Sequence, residues 1–316
     1  MLKVIAFSAK LLACVVLGFL LVFASISVVW LYFPSCYEDS FQKGLLLQYR
    51  ALEKSDPNER KIIVLGDSSM AFSVDSAQLS ALTGLPCYTF GVHAGIGEEY
   101  IYEEASKFVR EGDIVVAPFT NYSAGYYGTD LILFTTENEP ELYFEYVLAH
   151  PLELFKRGSE RAAVKFYYCL TGAPDITGTY SLSSFDEAGN ISLARKTIVS
   201  KAYSDAQAKT VYKPGFFSEE TIAFVNDFYA ECAEKGATFL LTSPPVYENN
   251  IGSTQEELEA FDAWARSVFD APIICEKWSD GFVAYEDLYD GVRHLNSAGA
   301  SAYTQNLYED LLPYLT

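Results

Sequence analysis

Residues 11–33 run through 23 consecutive positions without a charged side chain. A helix of that length, at ~1.5 Å rise per residue, measures about 35 Å and is long enough to cross a ~30 Å hydrocarbon core. Lys3 and Lys10 precede the run, and Glu38 and Asp39 follow it. Basic residues favour the cytoplasmic side, so this asymmetry puts the N-terminus in the cytoplasm and everything past residue 33 outside. Trp30 and Tyr32 then fall where an outer aromatic belt would lie. A cleaved signal peptide is the rival reading. Its apolar stretch usually spans only ~7–15 residues and ends at an A-x-A-like site. None is obvious, and Phe33, Pro34 and Ser35 before Cys36 make a poor lipobox. The sequence therefore reads as a retained anchor over residues 1–36, a membrane-proximal segment over 37–60 that is partly helical at 45–52, and a globular part over 61–316.

The net charge of -20 argues against nucleic acid as a partner, because a phosphate backbone would be repelled and no basic stripe is visible. It argues equally against the chain lying flat on an anionic bilayer. The six cysteines have no CxxC spacing and no paired Cys/His grouping, so no metal site is expected. Cys14 sits in the apolar run; Cys36, Cys87, Cys169, Cys232 and Cys275 lie beyond it. This odd number leaves at least one free thiol even in an oxidising compartment.

Beyond residue 60 short apolar runs alternate with helical patterns. Strands are expected at 61–65, 87–90, 114–117, 238–241 and 272–275. Helices are expected at 76–82 and 98–110, from an N-cap at Ser218 to Lys235, and from Asn296 to about residue 312. Another helix should start at a capping box of Ser253 and Glu256. This alternation predicts an α/β fold, a parallel sheet flanked by helices. The rhythm breaks over 122–217, where aromatic residues crowd and Gly, Thr and Pro interrupt. Helices at 140–150 and 159–170 and a hairpin over 180–193 are expected there, and the stretch reads as an inserted cap.

Chemistry is concentrated at two places. Gly66-Asp67-Ser68-Ser69 follows the first strand directly, so Ser68 falls at the carboxyl end of the sheet, where open α/β folds bind ligands. A serine nucleophile needs a base, and the chain has three histidines, His93, His150 and His294. His294 stands four residues after Asp290, across Gly291, so the aspartate could orient the imidazole. Asp67 and Ser69 flank the nucleophile, and Asp67 is expected to hold the turn through backbone hydrogen bonds. His93 and Gly95 lie in the glycine-rich turn after the second strand; with Asp67 and Ser69 they are candidates to border a pocket at that end of the sheet, and the alternative for His93 is a partly buried ring satisfied by hydrogen bonds.

The GDSS block after an early strand, with D-x-x-x-H-L-N-x-x-G before a terminal helix, resembles the SGNH (GDSL-type) hydrolase superfamily over residues 61–312, the insert apart. The resemblance implies a flavodoxin-like three-layer domain with Ser68 as nucleophile, His294 as base and Asp290 as its orienting acid. It implies an oxyanion hole of the Ser68 backbone, Gly91 (alternate Gly95) and Asn121. The chain departs from the family in three ways. The last block has one residue more than the common D-x-x-H, which makes Asp287 the fallback acid. Thr89 replaces a frequent asparagine, and the third block lacks G-x-N-D. The resemblance further implies an ester hydrolase or O-acyltransferase that needs no cofactor or metal. Its substrates would be O-acylated envelope glycans or lipid-linked molecules, with a membrane O-acyltransferase as a companion. The alternative is a non-catalytic scaffold of the same fold that assists such an acyltransferase.

Overall fold

A computed structural model describes residues 2–118, 128–173 and 175–315. In chain order the helices and strands are α1 (Leu2–Tyr32), α2 (Lys43–Glu53), β1 (Ile62–Leu65), α3 (Ser68–Ala71), α4 (Ser76–Thr83), β2 (Cys87–Phe90), α5 (Glu98–Ser106) and β3 (Ile114–Pro118). A helical run follows: α6 (Thr129–Thr135), α7 (Pro140–Ala149), α8 (Pro151–Glu153) and α9 (Ser159–Thr171). Then come α10 (Lys201–Asp205), α11 (Glu219–Glu234), β4 (Thr238–Thr242), β5 (Val246–Tyr247), α12 (Gln255–Val268), β6 (Phe282–Val283) and α13 (Ser297–Leu311). The chain forms two compact units, one of Met1–Lys43 with Gly128–Ser181 and one of Gly44–Tyr127 with Leu182–Thr316. The expected insert is thus divided, its helical part grouping with the N-terminal helix.

The larger unit is mixed α/β. Its four-stranded sheet is wholly parallel in the order β2-β1-β3-β4. All four β1 residues are buried, as a strand covered on both faces requires. Ile62 and Val64 join Leu79, Leu295, Leu307 and Leu311 in the core on the side of α4 and α13. Tyr102 of α5 packs edge-on against Phe228 of α11 and Phe239 of β4. At the amino end of the sheet Lys61 and Asp113 form a fully buried ion pair at 2.7 Å. Asp113 also accepts the Lys61 and Arg110 backbone N–H groups. That last bond belongs to the turn that follows α5, which ends at Ser106 rather than at the expected residue 110.

Three further expectations shift. The fifth strand reduces to one parallel bridge, Leu241 to Ile273, flanked by bonds from Leu241 N–H to Pro272 and from Ile274 N–H back to Leu241. Pro272 has no N–H to extend the ladder. The capping box sits one residue later, at Thr254 and Glu257, while the Ser253 hydroxyl donates to Tyr212 O. The hairpin over 180–193 contracts to a single bridge between Phe185 and Ile191, closed by Asp186, whose Oδ1 accepts the Ala188 and Asn190 N–H groups.

The smaller unit is helical. α1 is long and apolar enough to cross a membrane or to serve as a signal sequence. Trp30 is fully buried and donates from Nε1 to Gly158 O, so it is a packing residue and not part of an exposed aromatic belt. Beside it Lys165 and Glu137 form an ion pair with no exposure on either side, 2.7 Å long. Glu137 also accepts the Cys36 and Tyr37 N–H groups, and Lys165 donates to Trp30 O. With so many partners the buried charges are satisfied rather than stranded.

Candidate active site

The chain leaves β1 at Leu65 and turns through Gly66 and Asp67 into the short helix α3, whose first residue is Ser68. Asp67 is the N-cap; its Oδ1 accepts the Ser69 N–H at 2.6 Å. Ser68, as first helical residue, keeps a backbone N–H without an intrahelical acceptor. The neighbouring β2 turn meets this one backbone to backbone. A Cβ at Gly91 would stand 1.6 Å from Gly66 O, and Gly91 has φ +132°. Only glycine permits that approach.

His294 and Asp290 come from a different part of the same unit. Leu288 and Leu295 form an antiparallel bridge, and Tyr289 N–H donates to His294 O at 2.8 Å. Residues 290–294 form the loop this bridge closes, with Val292 O tied to Tyr247 N–H. Asn296 anchors the exit. Its Oδ1 caps α13 through Ala298 and Gly299 N–H, while its Nδ2 donates to Thr197 Oγ1, Glu286 O and Leu288 O.

These two loops bring three side chains into line. His294 Nε2 lies 3.0 Å from Ser68 Oγ, and His294 Nδ1 lies 2.8 Å from Asp290 Oδ1. A carboxylate only accepts, so Nδ1 carries the proton and Nε2 is the acceptor facing the Ser68 hydroxyl. A fifth of the His294 side chain and 16% of that of Asp290 remain exposed. The D-x-x-x-H spacing closes this contact because the extra residue is taken up in the loop. Asp287, the fallback, lies outside it; its carbonyl accepts Asn296 N–H.

The remaining expected residues divide. Gly91 N–H already donates to the buried Gln48 Oε1 at 2.8 Å, and Gly95 N–H donates to His93 Nδ1 at 2.9 Å. Both donors are thus engaged within the chain in this arrangement. The Ser69 hydroxyl is buried and has no partner among the described residues. Asn121 lies outside the described residues. His93 is half-buried; burial lowers its pKa, His294 lowers it further, and Asp67 opposes both. With Nδ1 accepting from Gly95, the neutral ring carries its proton on Nε2.

Three residues that the sequence did not single out complete the site. Phe72 stacks on the His294 ring with centroids 4.4 Å apart and planes 15° apart. The buried Arg195 guanidinium stands 5.3 Å from the Phe72 centroid and donates to the carbonyls of Phe72 and Leu295. Burial lowers its pKa. Gln48 Nε2 donates to Thr89 Oγ1 and Gly189 O, tying α2 to the end of β2 and to the 185–191 loop. Phe72 follows Ser68 by one helical turn, a spacing that could have flagged it; Arg195 and Gln48 carry no local signal.

Among the described residues no group of three or more His, Cys, Asp or Glu side chains is placed to hold a metal ion. The arrangement at Ser68 can deprotonate a hydroxyl and hold the resulting imidazolium. No protein-family model matches the chain, and no curated protein matches it.

Proposed function

We propose that the chain is a serine ester hydrolase or O-acyltransferase with an SGNH-type domain, working through an acyl-Ser68 intermediate. The observation that carries this reading is the continuous hydrogen-bonded line Ser68 Oγ, His294 Nε2, His294 Nδ1, Asp290 Oδ1, built from segments 226 residues apart. Such a line is what a weakly acidic hydroxyl needs to become a nucleophile at neutral pH. The parallel sheet supports the SGNH assignment, because Ser68 stands at its carboxyl edge, before a helical turn.

In the first step Ser68 Oγ attacks the ester carbonyl carbon while its proton passes to His294 Nε2. Asp290 stabilises the imidazolium. The tetrahedral oxyanion takes a hydrogen bond from Ser68 N–H, and Gly91 N–H joins only if the oxyanion displaces Gln48 Oε1. The C–O bond to the leaving alcohol then breaks, and His294 returns the proton to that alcohol. Water, or an acceptor hydroxyl, attacks the acyl-serine in the second step and gives its proton to His294, which passes it back to Ser68. The acylated or lipid-linked glycan substrate and an acyltransferase partner belong to this proposal and follow from the family resemblance; the extracytoplasmic placement belongs to it too and follows from the basic residues that precede the apolar run.

The test is labelling of the full-length protein in detergent with a fluorophosphonate probe, together with turnover of a small acetyl ester. The wild type is expected to label and Ser68→Ala to lose both activities. Equal labelling of the two, or none in a folded wild type, sinks the reading.

A further inference from the structure

The helical unit carries an apolar tip beside α1 with Lys156 and Arg157 at its bend, and we infer that this tip rests on the membrane that α1 enters. α7 and α9 form a hairpin that runs alongside the last third of α1. Asn138, at the hairpin's start, donates to Leu31 O and Phe33 O. Tyr143 Oη, further down α7, bonds Ser27 Oγ. The bend is a π-helical turn over Leu154–Gly158, where the Phe155 ring packs at a tilt on Phe19, centroids 4.0 Å apart, and approaches Phe23 at 6.3 Å. α9 then climbs back, with Lys165 at Trp30 and Cys169 at Cys36.

This packing divides α1. Every described side chain from residue 4 to residue 22 is exposed, whereas Ile26, Ser27, Trp30 and Leu31 are buried by the hairpin. A ~30 Å hydrocarbon core needs about 20 helical residues. The uncovered stretch supplies that number, so the lipid-facing segment ends near Val22 and not at residue 33. The hairpin bend then lies at the outer headgroup level. Its surface suits that level: Leu148 is 69% and Leu152 66% exposed, next to exposed Lys156 and Arg157. Apolar side chains can dip below the phosphates while the basic ones meet them.

The charges decide between the two registers. If residues 11–33 spanned the core, Glu153, Lys156 and Arg157 would sit near mid-bilayer, where a charged side chain is costly and rarely faces lipid. The Glu153–Lys156 pair at 3.1 Å relieves only part of that. If the core ends near Val22, the one intruding charge is Lys10, whose long stem can reach back to the inner headgroups. The occupant is therefore a phospholipid surface, continuous with the lipid around α1.

The experiment places an environment-sensitive nitrobenzoxadiazole label at Leu152→Cys in full-length protein, on a Cys14→Ser, Cys169→Ser background. The other four thiols are buried. The protein is reconstituted in phosphatidylcholine/phosphatidylglycerol nanodiscs containing lipids with a doxyl quencher at carbon 5 or carbon 12. Val15→Cys, on the exposed part of α1, is the immersed reference, and the label on free cysteine is the aqueous one. The Leu152 label is expected to emit blue-shifted light and to be quenched at least twofold more by 5-doxyl than by 12-doxyl, with the order reversed at Val15. Emission like free label overturns the inference, as does blue-shifted emission untouched by either quencher, which would mean protein cover. Stronger 12-doxyl quenching at Leu152 also overturns it, in favour of a hairpin inserted to mid-bilayer.

Discussion

Replacing Asp290 by asparagine should harm the proposed reaction more than replacing it by alanine. At 2.8 Å from Nδ1, Asp290 does two things: it stabilises the imidazolium and it fixes the proton on Nδ1. Alanine removes the first contribution. A hydrogen bond to a charged group is worth about 1.5–3 kcal/mol. At 1.36 kcal/mol per tenfold in rate, that is a loss of about 10- to 150-fold. Asparagine keeps the shape but can donate its amide N–H to Nδ1. The ring proton then moves to Nε2, the atom 3.0 Å from Ser68 Oγ, and the base is blocked. In serine triads that tautomer change is worth about 10⁴-fold, close to 5 kcal/mol. The assay is the second-order rate of fluorophosphonate labelling, with acetyl-ester turnover as the second reading. Thermal midpoints of both variants should stay near wild type, because Asp290 sits partly exposed on a loop. Asparagine labelling as fast as alanine, or either variant labelling as fast as wild type, would refute the assigned roles.

Gly91→Ala should cost about 3 kcal/mol in urea unfolding, since its Cβ would meet Gly66 O at 1.6 Å in a backbone conformation that disfavours side chains; a loss below about 1 kcal/mol contradicts the packing of the two turns. Asp310 is pushed up to about 6, first by burial and then by Asp280 and Glu309. A raised carboxyl favours folding when protonated, so its contribution falls as pH rises from about 4 to about 6. Asp310→Asn should therefore raise the thermal midpoint at pH 8, with the gain shrinking toward pH 4; a pH-independent difference rules this out. The Cys36 and Cys169 sulfurs are 3.9 Å apart. Glutathione disulfide should link them, the more exposed Cys169 attacking first and Cys36 resolving the mixed disulfide, with two glutathione thiols released. Peptide mass mapping checks this, and a link to any other cysteine, or none, refutes it.

Local chemistry made much of this legible. The IIVL run, the N-caps at Ser218 and Asn296, and the alternation of buried runs with amphipathic ones place most strands and helices within a residue or two, the end of α5 and the 272–275 strand apart. Those signals act over a few bonds, so they survive without tertiary context. Where two adjacent positions offered the same chemistry, as at Ser253 and Thr254, the sequence had no means to choose; the Tyr212 carbonyl drew Ser253 away.

The sequence by itself determined the apolar helix, the parallel α/β rhythm and the pairing of a turn serine with a late Asp-x-x-x-His. Tertiary structure alone decided that Gly91 N–H is held by Gln48, that Phe72 and Arg195 back the imidazole, and that the α7–α9 hairpin covers the last third of α1. Each of these contacts joins residues far apart in the chain, and nothing in a short window encodes which distant partner a buried polar group will find.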